Sequence, residues 1–90
     1  MRTIRRRVVV HGKVQGVFFR DSTRLLADAH GVAGWAVNRD DGTVEAVFEG
    51  PAPSVDALVA FAAEGPPDAV VERIEAQAED PEGLRGFRIG

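Results

Sequence analysis

The order in which hydrophobic periodicity changes along the chain is the feature that most narrows its fold. Arg5 to His11 contains the β-branched run Val8-Val9-Val10 and reads as a first strand. Asp21 or Ser22 can then cap a helix running to His30, with Leu25, Leu26 and Ala29 turned inward and Gly31 as its stop. Val32 to Asn38 returns to strand character, Asp40-Asp41-Gly42 signals a tight turn, and Thr43 to Glu49 alternates Val44, Ala46 and Phe48 against Thr43, Glu45, Val47 and Glu49. After Gly50-Pro51, Ser54 can cap a second helix whose Val55, Leu58, Val59 and Ala62 follow helical spacing, with Asp56 in its first turn. Gly65-Pro66-Pro67 ends it. Ala69 to Ala78 gives a fourth, irregular strand, and Gly86-Phe87-Arg88-Ile89 adds a short terminal one.

This β-α-β-β-α-β order predicts an α+β, ferredoxin-like split βαβ sandwich: an antiparallel sheet with two helices on one face and its other face toward solvent. No repeat, linker or low-complexity run divides residues 1–90, so one domain is expected. With 44% hydrophobic residues a core is available, and with no cysteine it must be held by packing alone. The same absence removes thiolate nucleophiles and cysteine zinc sites. No stretch approaches the roughly 20 apolar residues of a membrane span, and the basic N-terminus is followed by too short an apolar run for a signal peptide. A cytoplasmic monomer is the expectation.

The net charge of −3 is unevenly spread. Residues 1–24 hold Arg2, Arg5, Arg6, Arg7, Lys13, Arg20 and Arg24 against Asp21 alone, whereas the remainder carries 4 basic and 13 acidic residues. The basic N-terminal part suits an anionic ligand. Equally, Arg2 and Arg5–Arg7 can be solvated or can pair with the acidic part once the chain folds.

Between the first strand and first helix lies Gly12-Lys13-Val14-Gln15-Gly16-Val17-Phe18-Phe19-Arg20. Glycines let a backbone turn sharply and approach a ligand closely. A helix N-terminus presents unpaired N–H groups and partial positive charge, which suit a phosphate. Arg20 adds a forked donor array, and an anion there would relieve the unfavourable meeting of a cation with a helix N-terminus. An ordinary strand-to-helix connection with a surface arginine fits the same residues. The loop lacks the Gly-Lys-Ser/Thr ending of a nucleotide P-loop and the dinucleotide spacing. Physics alone therefore leaves two readings, an anion site and an ordinary connection.

The segment Gly12-x-Val14-Gln15-Gly16-Val17-x-Phe19-Arg20 resembles the signature of the acylphosphatase family. A second block, Gly34-Trp35-Ala36-Val37-Asn38 followed by Gly42-Thr43-Val44, resembles that family's other signature, with Ala36 where valine is usual. The likeness extends to Phe48-Glu49-Gly50-Pro51 and the ending Phe87-Arg88-Ile89. The resemblance implies hydrolysis of acyl phosphates, the mixed anhydrides of a carboxylic acid and phosphate. It implies that Arg20 binds the phosphoryl group and Asn38 positions the attacking water. Backbone N–H groups of Gln15, Gly16, Val17, Phe18, Phe19 and Arg20 would form the phosphate cradle. The expected partners are an acyl phosphate substrate and inorganic phosphate, with no cofactor, metal, nucleic acid or membrane.

Other residues attract weaker readings. Asn38 also suits a turn beside Asp40-Asp41-Gly42. His11 and His30 have no metal-ligand spacing, and Ser22 or Thr23 has no paired base. Trp35 is expected to pack, and Glu72, Glu75, Glu79, Asp80 and Glu82 to form a solvated acidic stretch. Two rival functions remain: a catalytically silent module binding phosphate or carbamoyl phosphate, and an RNA reader using the open sheet face. The strands that would carry stacking aromatics offer only Phe48, which disfavours the second.

Overall fold

A computed structural model describes residues 2–90. Its elements run β1 (Thr3–Lys13), α1 (Phe19–His30), β2 (Ala33–Asn38), β3 (Val44–Pro51), α2 (Ala52–Glu64), β4 (Val70–Glu79) and β5 (Phe87–Ile89). Both helices pack on one face of a five-stranded sheet ordered β4-β1-β3-β2-β5. This is the ferredoxin-like α+β sandwich that the element order predicts. One correction concerns strand direction: the sheet is mixed, because β5 runs parallel to β2, pairing Gly34 with Phe87 and Ala36 with Ile89. The other pairings are antiparallel. No helix among the described residues is long and apolar enough to cross a membrane.

The core lies between sheet and helices. Val8 and Val10 of β1, Val44, Ala46 and Phe48 of β3, Ala36 of β2 and Val55, Leu58 and Ala62 of α2 are fully buried there or nearly so. The rings of Phe48 and Phe87 lie nearly parallel with centroids 6.0 Å apart, which fastens the short β5 to the core.

Both helices begin earlier than their polar residues suggest. The N-cap of α1 is Phe18, in left-handed conformation with φ 62°, and no side chain caps the helix. Asp21 and Ser22 therefore lie inside its first turn. Phe19, Thr23 and Ala27 face the core, Leu26 packs against it, and Leu25 and Ala29 are exposed. Phe19, Thr23 and Ala27 recur every four residues and set the buried face, which includes Leu26 but not Leu25 or Ala29. Gly31 ends the helix in left-handed conformation, as its position predicts. α2 is capped at Pro51, with Pro53 in the first turn, where a missing N–H breaks no helical bond. Ser54 thus falls inside the helix and does not cap it.

The second sheet face is not simply open to solvent. Arg5, 2% exposed, lies in register between Glu49 of β3 and Glu79 of β4 and reaches both carboxylates, at 3.2 and 2.9 Å. Arg7, one side-chain repeat along, meets Glu45 at 2.6 Å and Glu79 at 2.7 Å, and its guanidinium sits 5.4 Å from the Trp35 ring centroid. Glu49, 3% exposed, also accepts N–H bonds from Glu82, Gly83 and Leu84, so the strap between β4 and β5 crosses this face. Of the two readings of the basic N-terminus, pairing with the acidic part holds for Arg5 and Arg7. Glu79 accordingly belongs to an ion-pair network rather than to a solvated stretch.

These contacts make stability acid-sensitive. Burial pushes the Glu49 carboxyl up, but the N–H groups of the strap and the Arg5 guanidinium outweigh it and hold it below its ordinary 4.5. Arg7 and then Arg5 hold Glu79 at about 2. Both carboxyls bind protons more weakly folded than unfolded, so their contribution is complete above about pH 5 and is lost as pH falls toward 2. In urea unfolding measured at successive pH values, the midpoint is expected to fall through this window. Glu79→Gln is expected to give a shallower fall.

Candidate active site

The geometry of the site begins with strand register. Val10 of β1 and Asn38 of β2 pair with the same residue, Val44 of β3, from its two sides. They are therefore two strand spacings apart, about 10 Å, with β3 rather than β1 lying next to β2. The 14–18 loop leaves β1 at this end of the sheet. A bulge between His11 and Gly12 marks the departure. Gly12 has φ 127°, and a Cβ there would overlap the Val70 carbonyl oxygen of β4. That glycine is required by strand packing, not by close approach of a ligand. Gly16, at φ 75° with open space around it, is the turning point of the loop itself.

The loop holds its shape by alternating buried and exposed side chains. Val14, Val17 and Phe19 are buried, and Phe19 also packs against Phe61 with ring centroids 6.2 Å apart. Gly16 and Phe18 between them are exposed. Gln15 spans the gap in the opposite direction: its side-chain amide donates to the carbonyls of Arg39, at 2.8 Å, and Thr43, at 3.0 Å. Those residues close the β2–β3 turn, where Arg39 N–H also donates to the Thr43 carbonyl and Asp41 accepts from the Thr43 N–H and hydroxyl. Gln15 therefore ties the loop before α1 to the turn that begins just after Asn38.

A cavity of about 260 Å³ opens at this junction, lined by Val14, Gly16, Phe18, Phe19, Arg20, Asp21 and Asn38. Of the residues expected from sequence, Gly16, Phe18, Phe19, Arg20 and Asn38 meet here. Gln15 and Val17 are not in its wall, the first being engaged with the turn and the second being buried. Val14 and Asp21 were not anticipated; Asp21 had read as a cap, which hid its place in the wall. The first intrahelical bond runs from the Ser22 N–H to the Phe18 carbonyl, so the N–H groups of Phe19, Arg20 and Asp21 precede the helical ladder. With no capping side chain in the way, they leave unpaired donors at the cavity, where a helix terminus carries partial positive charge. The Arg20 side chain is half-buried and donates through Nη1 to the Gly90 carbonyl.

Competing candidates find structural employment. His11 Nε2 lies 2.6 Å from Glu75, which stays exposed to solvent, and the Arg73 guanidinium is beside the same ring. Thr23 is buried and donates its hydroxyl to the Phe19 carbonyl at 2.8 Å. No group of three or more histidine or carboxylate side chains able to hold a metal is present among the described residues.

The acylphosphatase family model matches residues 6–89, nearly all of the chain. The chain belongs to the acylphosphatase family. An acylphosphatase of Rubrobacter xylanophilus is 57% identical over 88 residues, covering 97% of this chain and 80% of that protein. The crystal structure of acylphosphatase from Bacillus subtilis superposes with a TM-score of 0.92 at 38% identity, covering 97% of this chain and 98% of that one. HypF of T. kodakarensis contains a similar unit, with a TM-score of 0.79 and 32% identity over 96% of this chain, although the match is 11% of HypF. The acylphosphatase fold thus occurs both as a chain of this size and within a longer one.

The Gln15 tie is expected to matter for turnover. Removing its amide in Gln15→Ala loses two hydrogen bonds, together worth about 1–2 kcal/mol of stability. The resulting play between loop and turn is expected to lower kcat on a synthetic acyl phosphate by about 10- to 100-fold. Parallel unfolding and steady-state measurements on Gln15→Ala check both effects.

Proposed function

We propose that in this acylphosphatase Arg20 binds the phosphoryl group and Asn38 positions the attacking water. The observation that carries the reading is the single cavity shared by Arg20, the uncapped N-terminus of α1 and Asn38, which come from separate sequence blocks. The reaction is hydrolysis of an acyl phosphate to a carboxylate and inorganic phosphate. Water oxygen attacks phosphorus, the bond from phosphorus to the bridging oxygen breaks, and the carboxylate leaves with the electron pair.

Little further equipment is needed. Phosphoryl transfer proceeds largely by a dissociative path, so positioning and stabilisation of spread charge dominate catalysis. The guanidinium fork of Arg20 and the N–H groups of the Gly16–Asp21 segment supply donors to the phosphoryl oxygens. A carboxylate leaves without an obligatory acid. The Asn38 amide can accept from water and orient it but cannot take its proton, so a substrate phosphate oxygen receives the proton. The enzyme works as a monomer without a metal or cofactor. A chain lacking cysteines gains nothing from an oxidising compartment, which fits a cytoplasmic site of action.

The strap over the second sheet face and the engagement of Arg5 and Arg7 with carboxylates leave that face poorly suited to stacking RNA bases, which supports the hydrolase reading over an RNA reader. Direct tests separate the proposed roles. Arg20→Gln is expected to lower kcat/KM by about 10³-fold or more and to weaken competitive inhibition by phosphate. Asn38→Ala is expected to lower kcat by about 10²- to 10³-fold, with phosphate inhibition retained. A folded parent that binds phosphate without turning over acyl phosphate would favour a silent binding module.

Turnover is also expected to survive chelator treatment and to show no essential side-chain ionisation near neutrality. A pH–rate profile with and without chelator checks both points. Loss of activity on chelation, or a neutral inflection abolished by one substitution, would contradict the mechanism.

A further inference from the structure

Phe18 combines two features that neither folding nor helix capping rewards. Among the described residues it is the one non-glycine with positive φ, at 62°, a conformation that is strained for a bulky side chain. Its side chain is also the most exposed of the large hydrophobics, with 73% of the residue accessible. A glycine would relieve the backbone and a serine or aspartate could cap α1; the phenyl ring does neither. Phe18 does, however, line the cavity that holds Arg20 and Asn38.

Size and reaction geometry give the ring a use. The cavity of about 260 Å³ lies below the roughly 300–1,000 Å³ of ordinary small-molecule sites. With a phosphoryl group at the helix terminus, an acyl group of any bulk must lie at its mouth. In-line displacement places the leaving oxygen on the side of phosphorus away from the attacking water. If Asn38 holds that water, the acyl group departs toward the wall Asn38 does not supply. That wall is the 14–21 segment, in which Val14, Val17 and Phe19 are buried and Phe18 is the exposed apolar side chain.

From this arrangement we infer that the Phe18 side chain is the contact surface for the acyl group, and that it makes the enzyme favour aromatic or extended apolar acyl phosphates over acetyl phosphate. The inference rests on the proposed roles of Arg20 and Asn38. Phe18 acts as a specificity residue, stacking on or covering the acyl part as it leaves water, while its main chain continues the turn into the anion site.

The test measures a ratio, because a purely structural role would weaken all ligands together. Phenacylphosphonate and acetonylphosphonate are benzoyl and acetyl phosphate with the bridging oxygen replaced by methylene. They are titrated calorimetrically, alongside inorganic phosphate, into the parent, Phe18→Ala, Phe18→Leu and Phe18→Gly. The parent is expected to bind the aromatic analogue about three- to tenfold more tightly than the acetonyl one. The ratio should fall to within about twofold of unity in Phe18→Ala and Phe18→Gly and be partly kept in Phe18→Leu. The glycine variant relieves the strained φ, so it serves where alanine disturbs folding. KM values for benzoyl and acetyl phosphate should follow the same pattern. Equal binding of the two analogues by the parent, or a ratio unchanged in Phe18→Ala and Phe18→Gly, overturns the inference and leaves the phosphate site standing. A parent that binds neither analogue nor phosphate overturns the phosphate-site reading itself, and this inference with it.

Discussion

β1 is hydrogen-bonded along both edges and covered on both faces, and the position of every functional group depends on its register. Val8 and Val10 point into the core, while Arg5 and Arg7 point to the far face, where Glu45, Glu49 and Glu79 receive them. A shift by one residue would drive two guanidinium groups into the apolar layer and bring the valines out. The ion pairs therefore specify the pairing as much as they stabilise it. Glu49 extends that role to the strap leading into β5, since the same carboxylate accepts from Arg5 and from three successive backbone N–H groups. Once Val10 and Asn38 both lie opposite Val44, the ends of β1 and β2 stand on either side of β3, and the 14–18 loop must bridge them.

The bridge is built from conflicting demands. Val14, Val17 and Phe19 draw the loop toward the core, while Gln15 binds it to the β2–β3 turn. Held at those points, the chain turns through positive φ at Gly16 and again at Phe18 before the helix can begin. A glycine meets this demand without strain, but a phenylalanine does not. The helix then starts with no polar cap, which leaves its first N–H groups available for an anion. Local consistency is relaxed at the place where a ligand can supply what the sequence withholds, as expected of a functional site within an otherwise well-specified fold.

That same relaxation limited what could be read from sequence. The strands were legible because Val8-Val9-Val10 and the alternation around Val44, Ala46 and Phe48 reflect burial directly. Gly31 and Asp40-Asp41-Gly42 were legible because their turns require those residue types. The start of α1 was not: Asp21 and Ser22 have good capping chemistry, but the true cap is a strained phenylalanine chosen against propensity. The start of α2 was hidden similarly, because Pro51 and Pro53 begin a helix that Ser54 was expected to open. The parallel pairing of β5 left no periodic trace in three residues, and the partnership of Glu79 with Arg5 and Arg7 depends on β4 lying next to β1. Two matched motifs single out Arg20 and Asn38, and both line one cavity in the fold. Their approach arises from register and loop, neither of which periodicity encodes. The Gln15 tie is a side-chain contact across 24 and 28 positions, and only the fold reveals it.

The charge distribution shows how such a site can be selective without a strong overall field. Taken along the sequence, the basic N-terminal part suggested a broad positive region. In the fold, Arg5 and Arg7 are matched by carboxylates, and the chain as a whole is negative. Long-range attraction of an acyl phosphate is correspondingly weak, and screening shortens it further. In the proposed mechanism attraction comes at close range from donors with direction: the first N–H groups of α1 and the Arg20 fork. Such donors act only on an anion placed at the helix terminus, where the Asn38 end of β2 closes the same cavity. On the proposed roles, the geometry that makes binding local would also bring the bound phosphorus within reach of a water held by Asn38.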